Sequence, residues 1–394
     1  MNTVLLEQVR EMHLELKQIR RDIHAHPEMA MEEVRTSALV ANKLKGWGIM
    51  AIEGVGQFGV VGILKSLQPG NNTIGLRADM DALRLNEQND VPYRSKISGT
   101  MHACGHDGHT AMLLGAAKYL AHHRDTFCGT IYFIFQPAEE GLTGALAMIK
   151  DGLFDRFPMD AVYGLHNYPE RFGKFAIRAG PMMAAGDSWL VTFRGTGGHG
   201  GALVHRASDL TVLQAQFVLA VQTIISRNIK ATDSAVITVG AIECGSFQSL
   251  NVMPSTLRIG GTTRSLTESV RSTIERRMKE IASNLAADFG CEAEVEYVRV
   301  ASPLVNHAEQ TKRAITAAEA VVGEENVDRN TEPTMAGEDF AFMLVERPGA
   351  FIFLGVNDDT RFRNLHSPTY DFNDEVIPYG VAYWISLVQQ ELKY

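Results

Sequence analysis

Cysteine is scarce in this chain of 394 residues, which contains only four, at positions 104, 128, 244 and 291. They are too few and too scattered for a disulfide framework, and no two of them are spaced as CxxC. A reducing compartment is therefore the expected environment. No second cysteine lies near Cys104 in sequence to resolve an oxidised thiol, which argues against a redox function for that residue.

Positive charge is also in deficit. The sequence has 37 Lys and Arg residues against 46 Asp and Glu residues, which gives a net charge of -9. No stripe of Lys and Arg rises above this background. The composition therefore argues against nucleic acid as a partner.

Signal peptides and membrane spans are not indicated either. The N-terminal sequence MNTVLLEQVREMHLEL alternates apolar and charged residues at helical spacing and has no signal-peptide core. No later apolar run is expected to reach membrane-spanning length. We therefore expect a cytoplasmic protein with no membrane partner. The hydrophobic content of 45% supports full cores, and the length predicts two or three domains.

The sequence does have a dense group of reactive side chains in residues 101–140, MHACGHDGHTAMLLGAAKYLAHHRDTFCGTIYFIFQPAEE. Cys104, His106 and His109 stand at the beginning of an apolar run with helical periodicity, and Asp107 is predicted to cap that helix. Cysteine and histidine gathered at one helix end are typical of half a metal site.

A strand buried on both faces is predicted next, because GTIYFIFQ is an uninterrupted apolar run. It is followed by Glu139 and Glu140. Buried neighbouring carboxylates repel each other unless a cation or a shifted pKa relieves them. On an extended segment the two side chains point in different directions, so one can bind a metal while the other contacts water, as a metal-assisted hydrolase requires. The alternative is a pair of solvated loop acids.

Other polar residues stand at further strand ends. RADMDAL ends a predicted strand with Asp79 and Asp81, which share one face. His166 ends a short predicted strand at 161–165, and His366 lies in a predicted loop. Each pattern alone also fits an ordinary solvated or hydrogen-bonded residue.

Two histidines near the N-terminus, His24 and His26 in RRDIHAHPE, have a spacing that could bind metal. Pro27 follows them and marks a turn. We expect both to have a structural or supporting role.

The pattern of the sequence changes near Ala184. From 184 to 300 the predicted order is strand, helix, strand, strand, helix, strand, which indicates a split βαβ sandwich. This α+β domain is inserted into a first domain made of residues 1–183 and 301–394. Alternating strands and helices in that first domain indicate the α/β class.

A family resemblance emerges from RRDIHAHPE, RADMDAL, MHACGHDGH, FQPAEE, GLHN, GGHG, AGEDF and LHSPTYDFND in this order. The chain resembles the amidohydrolase branch of the aminoacylase and carboxypeptidase metallopeptidases, which includes hippurate hydrolases, N-acyl-L-amino-acid amidohydrolases and indoleacetyl-amino-acid hydrolases. The resemblance implies an α/β catalytic domain with a central mixed sheet and an inserted ferredoxin-like lid and dimerisation domain. The implied reaction is hydrolysis of N-acyl-L-amino acids to a carboxylate and a free amino acid.

The same resemblance implies two divalent metal ions per subunit, held by Cys104, His106, Glu140, His166 and His366. Mn or Zn is expected, and Ni or Co also suits this ligand set. A thiolate and imidazoles disfavour metals that prefer only oxygen ligands, such as Mg or Ca.

Glu139 is the general base that the resemblance implies. In the wider group, a metal-binding histidine is supported by an acid behind it. In this sequence Asp79 takes the position of that histidine, and Asp81 takes the position of the acid. Asp81 is therefore expected to support a ligand, and Asp79 is not expected to bind metal.

The smaller domain supplies three more residues by resemblance. His199 of GGHG is implied to reach the partner subunit's active site and stabilise the tetrahedral intermediate, while Asn251 and Arg264 hold the substrate carboxylate. Arginine suits such a bidentate grip. The alternative for His199 is a surface histidine in a glycine-rich turn, and the loop after Gly200 departs from the family pattern by one residue and a missing proline.

Two other functions stay open on the sequence. The same metal centre would serve an exopeptidase on dipeptides or short peptides. A catalytically silent, metal-stabilised binding protein would keep the fold without turnover. The expected partners are a small-molecule N-acyl amino acid and further copies of the chain, in a homodimer or homotetramer.

Overall fold

The structure is a computed structural model that describes residues 3–393. The chain folds into two compact units. The larger comprises Met1–Gly180, Val305–Glu332 and Asp339–Tyr394, and the smaller comprises Pro181–Leu304 and Pro333–Glu338. The predicted boundaries after residues 183 and 300 lie within four residues of the observed ones. The sequence gives no sign that residues 333–338 belong with the smaller unit.

The helices and strands are numbered in chain order. The helices are α1 Thr3–Glu11, α2 His13–Ala25, α3 Val34–Gly46, α4 His106–His122, α5 Gly144–Lys150, α6 Leu153–Arg156, α7 Leu210–Thr223, α8 Glu268–Asp288, α9 Ala308–Val322, α10 Phe340–Glu346 and α11 Ile377–Glu391. The strands are β1 Met50–Val55, β2 Gly59–Lys65, β3 Gln68–Asp79, β4 Cys128–Gln136, β5 Ala161–Arg171, β6 Phe175–Ala176, β7 Gly180–Met183, β8 Ala185–Arg194, β9 Gly198–His199, β10 Ala235–Cys244, β11 Val252–Met253, β12 Thr256–Ser265, β13 Glu292–Ala301, β14 Leu304–Asn306, β15 Val327–Asp328 and β16 Gly349–Asn357.

The larger unit is built on a mixed sheet with the strand order β1-β2-β4-β3-β5-β16-β6-β15. Its centre is parallel, because β3 pairs in parallel with β4 and β5, and β5 pairs in parallel with β16. The strands β4 and β16 are buried almost throughout, as apolar strands covered on both faces must be. The predicted α/β class with a central mixed sheet is confirmed. Parallel strands bring their carboxyl ends to one edge, which is where such folds place their sites.

Helix α4, which follows the CGHDGH motif, is packed between α2 and α11. The contact is close at Gly115, where a Cβ atom would lie 2.7 Å from side-chain atoms of both Leu16 on α2 and Val381 on α11. All three residues are in the close-packed interior of the larger unit. The middle of α4 is therefore fixed by packing on both sides.

The N-terminal helix predicted over residues 4–22 is divided into α1 and α2. At the junction the N–H of Met12 donates to the carbonyl of Val9, three residues back, so the turn tightens before the second helix begins. Strand β5 also continues six residues beyond the predicted end at residue 165. Strand β1 was not predicted, because its exposed residues obscure any apolar alternation.

The smaller unit has a four-stranded antiparallel sheet in the order β10-β12-β8-β13, with helices α7 and α8 packed on it. The order along the chain is β8-α7-β10-β12-α8-β13, as the sequence indicates. Its core is separate from that of the larger unit and contains Phe193, Phe217, Ile259 and Ile274.

The helical segment Leu210–Asn228, which contains α7, is long and apolar enough to cross a membrane by length and composition alone. The expectation that no run reaches that length is therefore wrong for this segment. In the structure Leu213, Phe217 and Val221 pack into the core of the smaller unit, while Leu219 on the opposite face is 71% exposed. The segment is thus a core helix with a second, exposed apolar face.

Candidate metal centre

The five predicted metal ligands come from four separate places in the larger unit. Cys104 precedes α4 and His106 begins it, Glu140 follows β4, His166 lies on β5, and His366 lies in the loop before α11. The parallel arrangement of β4, β3 and β5 places the ends of these strands at one edge of the sheet.

The ligand atoms of these residues lie close together. The atoms of Cys104, His106 and Glu140 all lie within 4.8 Å of one another. The Sγ of Cys104 is 3.5 Å from Nε2 of His166, and Oε1 of Glu140 is 3.5 Å from Nε2 of His366. The structure therefore gathers all five predicted ligands around one space.

Hydrogen bonds fix which histidine nitrogen faces this space. Nδ1 of His106 is 3.0 Å from the carbonyl and 3.1 Å from the Oδ1 of Asp81, so Nδ1 carries a proton and Nε2 is the nitrogen left for a metal. Nδ1 of His166 donates to the Asn167 carbonyl at 2.6 Å, with the same effect. Such outer hydrogen bonds set the tautomer of metal-binding histidines.

The backbone around two site residues is left-handed. Ala138, just before the paired glutamates, has φ 53°, and its N–H donates to Glu33 at 2.8 Å. His366 has φ 59°, and its N–H donates to the carbonyl of Ala103, beside Cys104. Residues other than glycine rarely adopt this conformation, and it concentrates at functional sites.

Two buried atoms of the cluster, Nε2 of His106 and Oε1 of Glu140, have no hydrogen-bond partner among residues 3–393. A buried polar atom without a partner costs free energy comparable to a lost hydrogen bond. Both atoms face the shared space and lie 4.0 Å apart. A divalent cation between them would satisfy both, so the donor set fits a metal.

The electrostatics of the site also call for a cation. Burial raises the pKa of the Cys104 thiol well above its usual value, and the neighbouring Glu140 and Glu139 raise it further. Burial likewise raises the pKa of Glu140 to about 7. Burial alone would lower the pKa of His106, but the negative charges of Asp79 and Asp81 outweigh it and raise the pKa to about 10. The potential at this point is strongly negative.

Asp81 holds two of the predicted ligands, His106 and Glu140, in place by hydrogen bonds. One of its carboxylate oxygens contacts His106, and the other accepts from the backbone N–H of Glu140 at 2.9 Å. It is buried and bridges the two chain segments that carry these ligands.

Asp79 is surrounded by protein donors. It accepts from Arg77 Nη1 at 2.7 Å and lies 2.6 Å from Nδ1 of His109. Burial would raise the pKa of Asp79, but the His106, His109 and Arg77 charges lower it well below its usual value. The Nε2 of His109 is occupied by Asn167, 2.6 Å away. With both nitrogens engaged, His109 has no lone pair available for a metal, although its atoms lie near those of His106 and His166.

Sequence reasoning missed two buried residues of this network, Arg77 and Asn167. Arg77 contacts Asp79, Gln136 and Asp339, and Asn167 donates to the hydroxyl of Tyr370 at 2.9 Å. The signal was present, since Arg77 lies in RADMDAL and Asn167 in GLHN.

The predicted capping role of Asp107 is wrong. Asp107 is the second residue of α4, and Gly105, with φ 93°, occupies the N-cap position. The Oδ1 of Asp107 accepts from the N–H of Gly108 at 2.9 Å, and its Oδ2 contacts Arg20 and His24, each at 2.8 Å. Asp107 therefore lies inside the first turn and joins a tertiary ion pair, which the local sequence does not indicate.

Glu139, the predicted general base, is 6% exposed, and its Oε2 is 3.8 Å from Nε2 of His106. It therefore borders the same space as the ligands. Its neighbour Glu140 points toward His366, as the turn at Ala138 allows.

The three predicted residues of the smaller unit belong to two different sheets. His199 on β9 is paired across the strands with Val252 of β11, so Asn251 is close to it. Nδ1 of His199 accepts from the N–H groups of Gly201 and Ala202 at 3.1 and 3.2 Å, which leaves the proton on Nε2. Arg264 is on β12, where Nη1 donates to the backbone carbonyl of Thr263.

Comparison with known proteins shows relatives along the whole chain. Residues 75–390 match Peptidase family M20/M25/M40. The hippurate hydrolase of Campylobacter jejuni is 40% identical over 394 residues, which covers 99% of this chain and 100% of that protein. Thermostable carboxypeptidase 2 of Saccharolobus solfataricus is 38% identical over 386 residues, 95% of each chain. A Bacillus subtilis structure described as a dinuclear metal binding peptidase from the M20 family has a TM-score of 0.85 at 29% identity, covering 97% of this chain and 99% of that one.

Replacing Gly105 by alanine should disrupt the centre. A Cβ atom there would lie 2.1 Å from Oδ1 of Asn167 and 2.7 Å from the hydroxyl of Tyr370, in a left-handed conformation. We expect Gly105→Ala to weaken metal binding at least about 10-fold, because Cys104 and His106 must move apart. Gly99→Ala is the matched control, since Gly99 has φ 79° but nothing within 4 Å of its Cβ position. Equal metal affinities of the two variants, measured by calorimetric titration, would contradict the predicted role of the close contact.

Proposed function

The chain belongs to Peptidase family M20/M25/M40 and is a metal-dependent amidohydrolase, and we propose that it cleaves the amide bond of N-acyl-L-amino acids to give a carboxylate and a free amino acid. The observation that carries the proposal is the convergence of one thiol, one carboxylate and three imidazoles on one space beside Glu139, which is buried except on the side of His366, whose side chain is 56% exposed. The name of the full-length relative, hippurate hydrolase, supports this substrate class.

In this proposal Cys104, His106, Glu140, His166 and His366 hold two divalent ions, with Mn or Zn expected and Ni or Co compatible. When bound, the ions supply the positive charge that polarises the amide carbonyl and acidifies water. The imidazole and thiolate donors fit these metals better than Mg or Ca.

Glu139 is the proposed general base. Its carboxylate takes a proton from water, and the resulting hydroxide oxygen bonds to the amide carbon. The C–N bond then breaks, and Glu139 returns the proton to the nitrogen of the leaving amino acid. A carboxylate that lies next to the metal ligands, but is not itself a ligand, can serve both steps. Each step requires only a proton carrier within hydrogen-bond reach.

His199 is the proposed donor to the oxyanion of the tetrahedral intermediate, supplied by the partner subunit. The support is its tautomer: with Nδ1 accepting two backbone hydrogen bonds, Nε2–H is left to donate. Asn251, next to it, and Arg264 are proposed to bind the substrate carboxylate, since an amide and a guanidinium both donate hydrogen bonds to an anion.

A second copy of the chain is the proposed occupant of one exposed face of the smaller unit. Strand β10 is at the edge of its sheet, and α7 packs near β10 and β12. The outer face of α7 exposes Val212 and Leu219 at 46% and 71%, and β10 exposes Val236 and Ile242 at 41% and 48%. An open strand edge beside an apolar helix face favours pairing with an identical surface about a two-fold axis.

The second candidate is an exopeptidase on dipeptides or short peptides. It stays open because a relative that covers 95% of this chain is named a carboxypeptidase. Both candidates need the same metal centre, so the site geometry alone does not distinguish them.

Hydrolysis of a substrate panel tests the proposed specificity. With Mn or Zn bound, we expect kcat/KM for hippurate or another N-acyl amino acid to exceed that for a free dipeptide at least about 10-fold, since one unmatched group in a pocket changes transition-state binding by about 1–3 kcal/mol. The panel contains N-acetyl, N-benzoyl and N-indoleacetyl amino acids beside unblocked dipeptides. Faster cleavage of the dipeptides would favour the exopeptidase.

Replacing Glu139 by glutamine tests the base. The amide has nearly the same volume but accepts no proton at neutral pH, so we expect kcat to fall by about a hundredfold to ten-thousandfold with metal content unchanged. Metal content is measured by atomic emission on the same sample as kcat. A variant with normal metal content and wild-type kcat would rule out Glu139 as the base.

Light scattering on a sizing column tests the proposed dimer. The wild type is expected at twice the chain mass of 43.3 kDa, and the double variant Val212→Glu and Leu219→Glu at the monomer mass, because paired charges would face each other across the two-fold axis. If His199 acts across that interface, kcat falls by about a hundredfold to a thousandfold in the monomer.

The matched control for the dimer is Leu67→Glu. Leu67 is 70% exposed but lies in the turn between β2 and β3 of the larger unit. The Leu67→Glu substitution should leave the mass of the dimer unchanged. A wild type that is monomeric at micromolar concentration, or a double variant that stays dimeric, would show that this face is not the interface.

A further inference from the structure

Arg20 on α2 is a completely buried cation whose ion pairs within residues 3–393 are with carboxylates outside the proposed set of metal ligands. Its Nε lies 2.8 Å from Oδ2 of Asp107, and its Nη2 donates to Oδ1 of Asp371 at 2.9 Å. Its Nη1 is 3.5 Å from Asp374. One guanidinium thus reaches three carboxylates from two distant parts of the chain.

The first two of these carboxylates belong to the segments that carry two ligands. Asp107 is the residue after His106 in the first turn of α4. Asp371 lies five residues after His366 in the same irregular loop. Arg20 is therefore a bridge between the segment that carries His106 and the segment that carries His366.

The guanidinium is held rigidly. It lies 5.1 Å from the ring centre of Tyr93 and 5.8 Å from that of Phe372, and the hydroxyl of Tyr93 donates to the second oxygen of Asp371 at 3.0 Å. On the other side His24 lies 2.8 Å from the same Asp107 oxygen that Arg20 contacts. These contacts leave Arg20 little freedom to rotate.

Stability alone gives little reason for this arrangement. Burying a charged network is often no better for folding than burying apolar side chains of similar volume, although breaking it afterwards is costly. The planar guanidinium group of arginine, however, has its hydrogen-bond donors in fixed directions, so it sets the distance between two carboxylates that it contacts. The bridge is therefore suited to setting geometry.

We propose that Arg20 is a positioning residue of the metal centre, which sets the separation of His106 and His366 by holding Asp107 and Asp371 together. The inference rests on the proposed metal function of these histidines. It also gives the RRDIHAHPE segment, which supplies no ligand, a direct part in metal affinity.

Arg21, the next residue, is a matched control. Its Nε and Nη2 contact Asp374 at 2.9 and 2.8 Å, and it lies over the same Tyr93 ring at 4.2 Å. Its side chain is 36% exposed, and within residues 3–393 it pairs with Asp374 rather than with Asp107 or Asp371. A substitution there perturbs the same network without breaking the bridge.

The experiment compares Arg20→Lys with Arg21→Lys in the full-length protein. Lysine keeps the charge but has one donor centre, which cannot span both carboxylates. Metal-free protein is titrated with Co²⁺ by calorimetry, and the visible spectrum of the cobalt form reports the ligand geometry. We expect Arg20→Lys to weaken binding of at least one ion about 10-fold to 100-fold and to alter the cobalt spectrum, while Arg21→Lys leaves both unchanged.

Excess metal gives a second readout. Because the substrate contacts are intact, Arg20→Lys at saturating Co²⁺ should keep its KM for an N-acyl amino acid. A purely structural role would instead lower the unfolding temperature of the metal-free protein and leave the Co²⁺ affinity of the folded fraction as in the wild type, which would overturn the proposal.

Asp371→Asn covers the case in which Arg20→Lys does not fold. It removes the charge on the His366 side and leaves the contact between Arg20 and Asp107 in place. We expect the same loss of Co²⁺ affinity, and wild-type affinity in this variant would also overturn the proposal. A wild-type protein that binds no Co²⁺ would instead refute the proposed metal function, so the two failures are distinguishable.

Discussion

The concentration of negative charge in one buried space is the constraint on which the rest of the larger unit depends. Asp79, Asp81, Glu139, Glu140 and the Cys104 thiol all lie out of water or nearly so. A low-dielectric interior does not tolerate such a group of like charges without nearby cations. The protein places its own cations, among them Arg77 and Arg20, on the outer side of the cluster, and leaves the inner atoms facing one another. The inner side is where bound ions complete the structure.

The fold satisfies this constraint by bringing the ends of several strands and one helix together. The parallel strands β3, β4 and β5 deliver carboxylates and a histidine to one edge, and α4 is fixed over them by α2 and α11. The left-handed backbone at Ala138 and His366 then turns the final side chains inward. Both residues are strained, and a hydrogen bond from each backbone N–H holds that conformation in place. The N–H of Ala138 donates to Glu33, and the N–H of His366 donates to the carbonyl of Ala103. Rigid elements thus supply the approximate positions, and strained loops supply the last adjustment.

Much of this could be predicted from the sequence, because the signals are local. Apolar periodicity gives β4, α4 and α9, and the spacing of reactive residues in CGHDGH and QPAEE points to metal chemistry within a few residues. What could not be predicted are partners far apart in sequence. Asp107 looks like a helix cap until Arg20, 87 positions earlier, is seen beside it. Arg77 similarly meets Asp339 across 262 positions. The division of the first helix at Met12 and the membership of residues 333–338 in the smaller unit also depend on tertiary packing, which outweighs local propensity.

Charge balance argues for two ions rather than one. Arg77 neutralises Asp79, and Arg20 neutralises Asp107, so neither carboxylate needs an ion. With ions bound, Asp81, Glu139, Glu140 and a Cys104 thiolate supply four negative charges around the inner space. Two divalent ions match these charges. A single divalent ion would leave the buried site with two excess negative charges, and that excess would repel the carboxylate of an acyl amino acid. With two ions bound the centre is close to neutral. Attraction for the carboxylate of the proposed substrate then has to come from side chains outside the centre, which is the role proposed for Arg264.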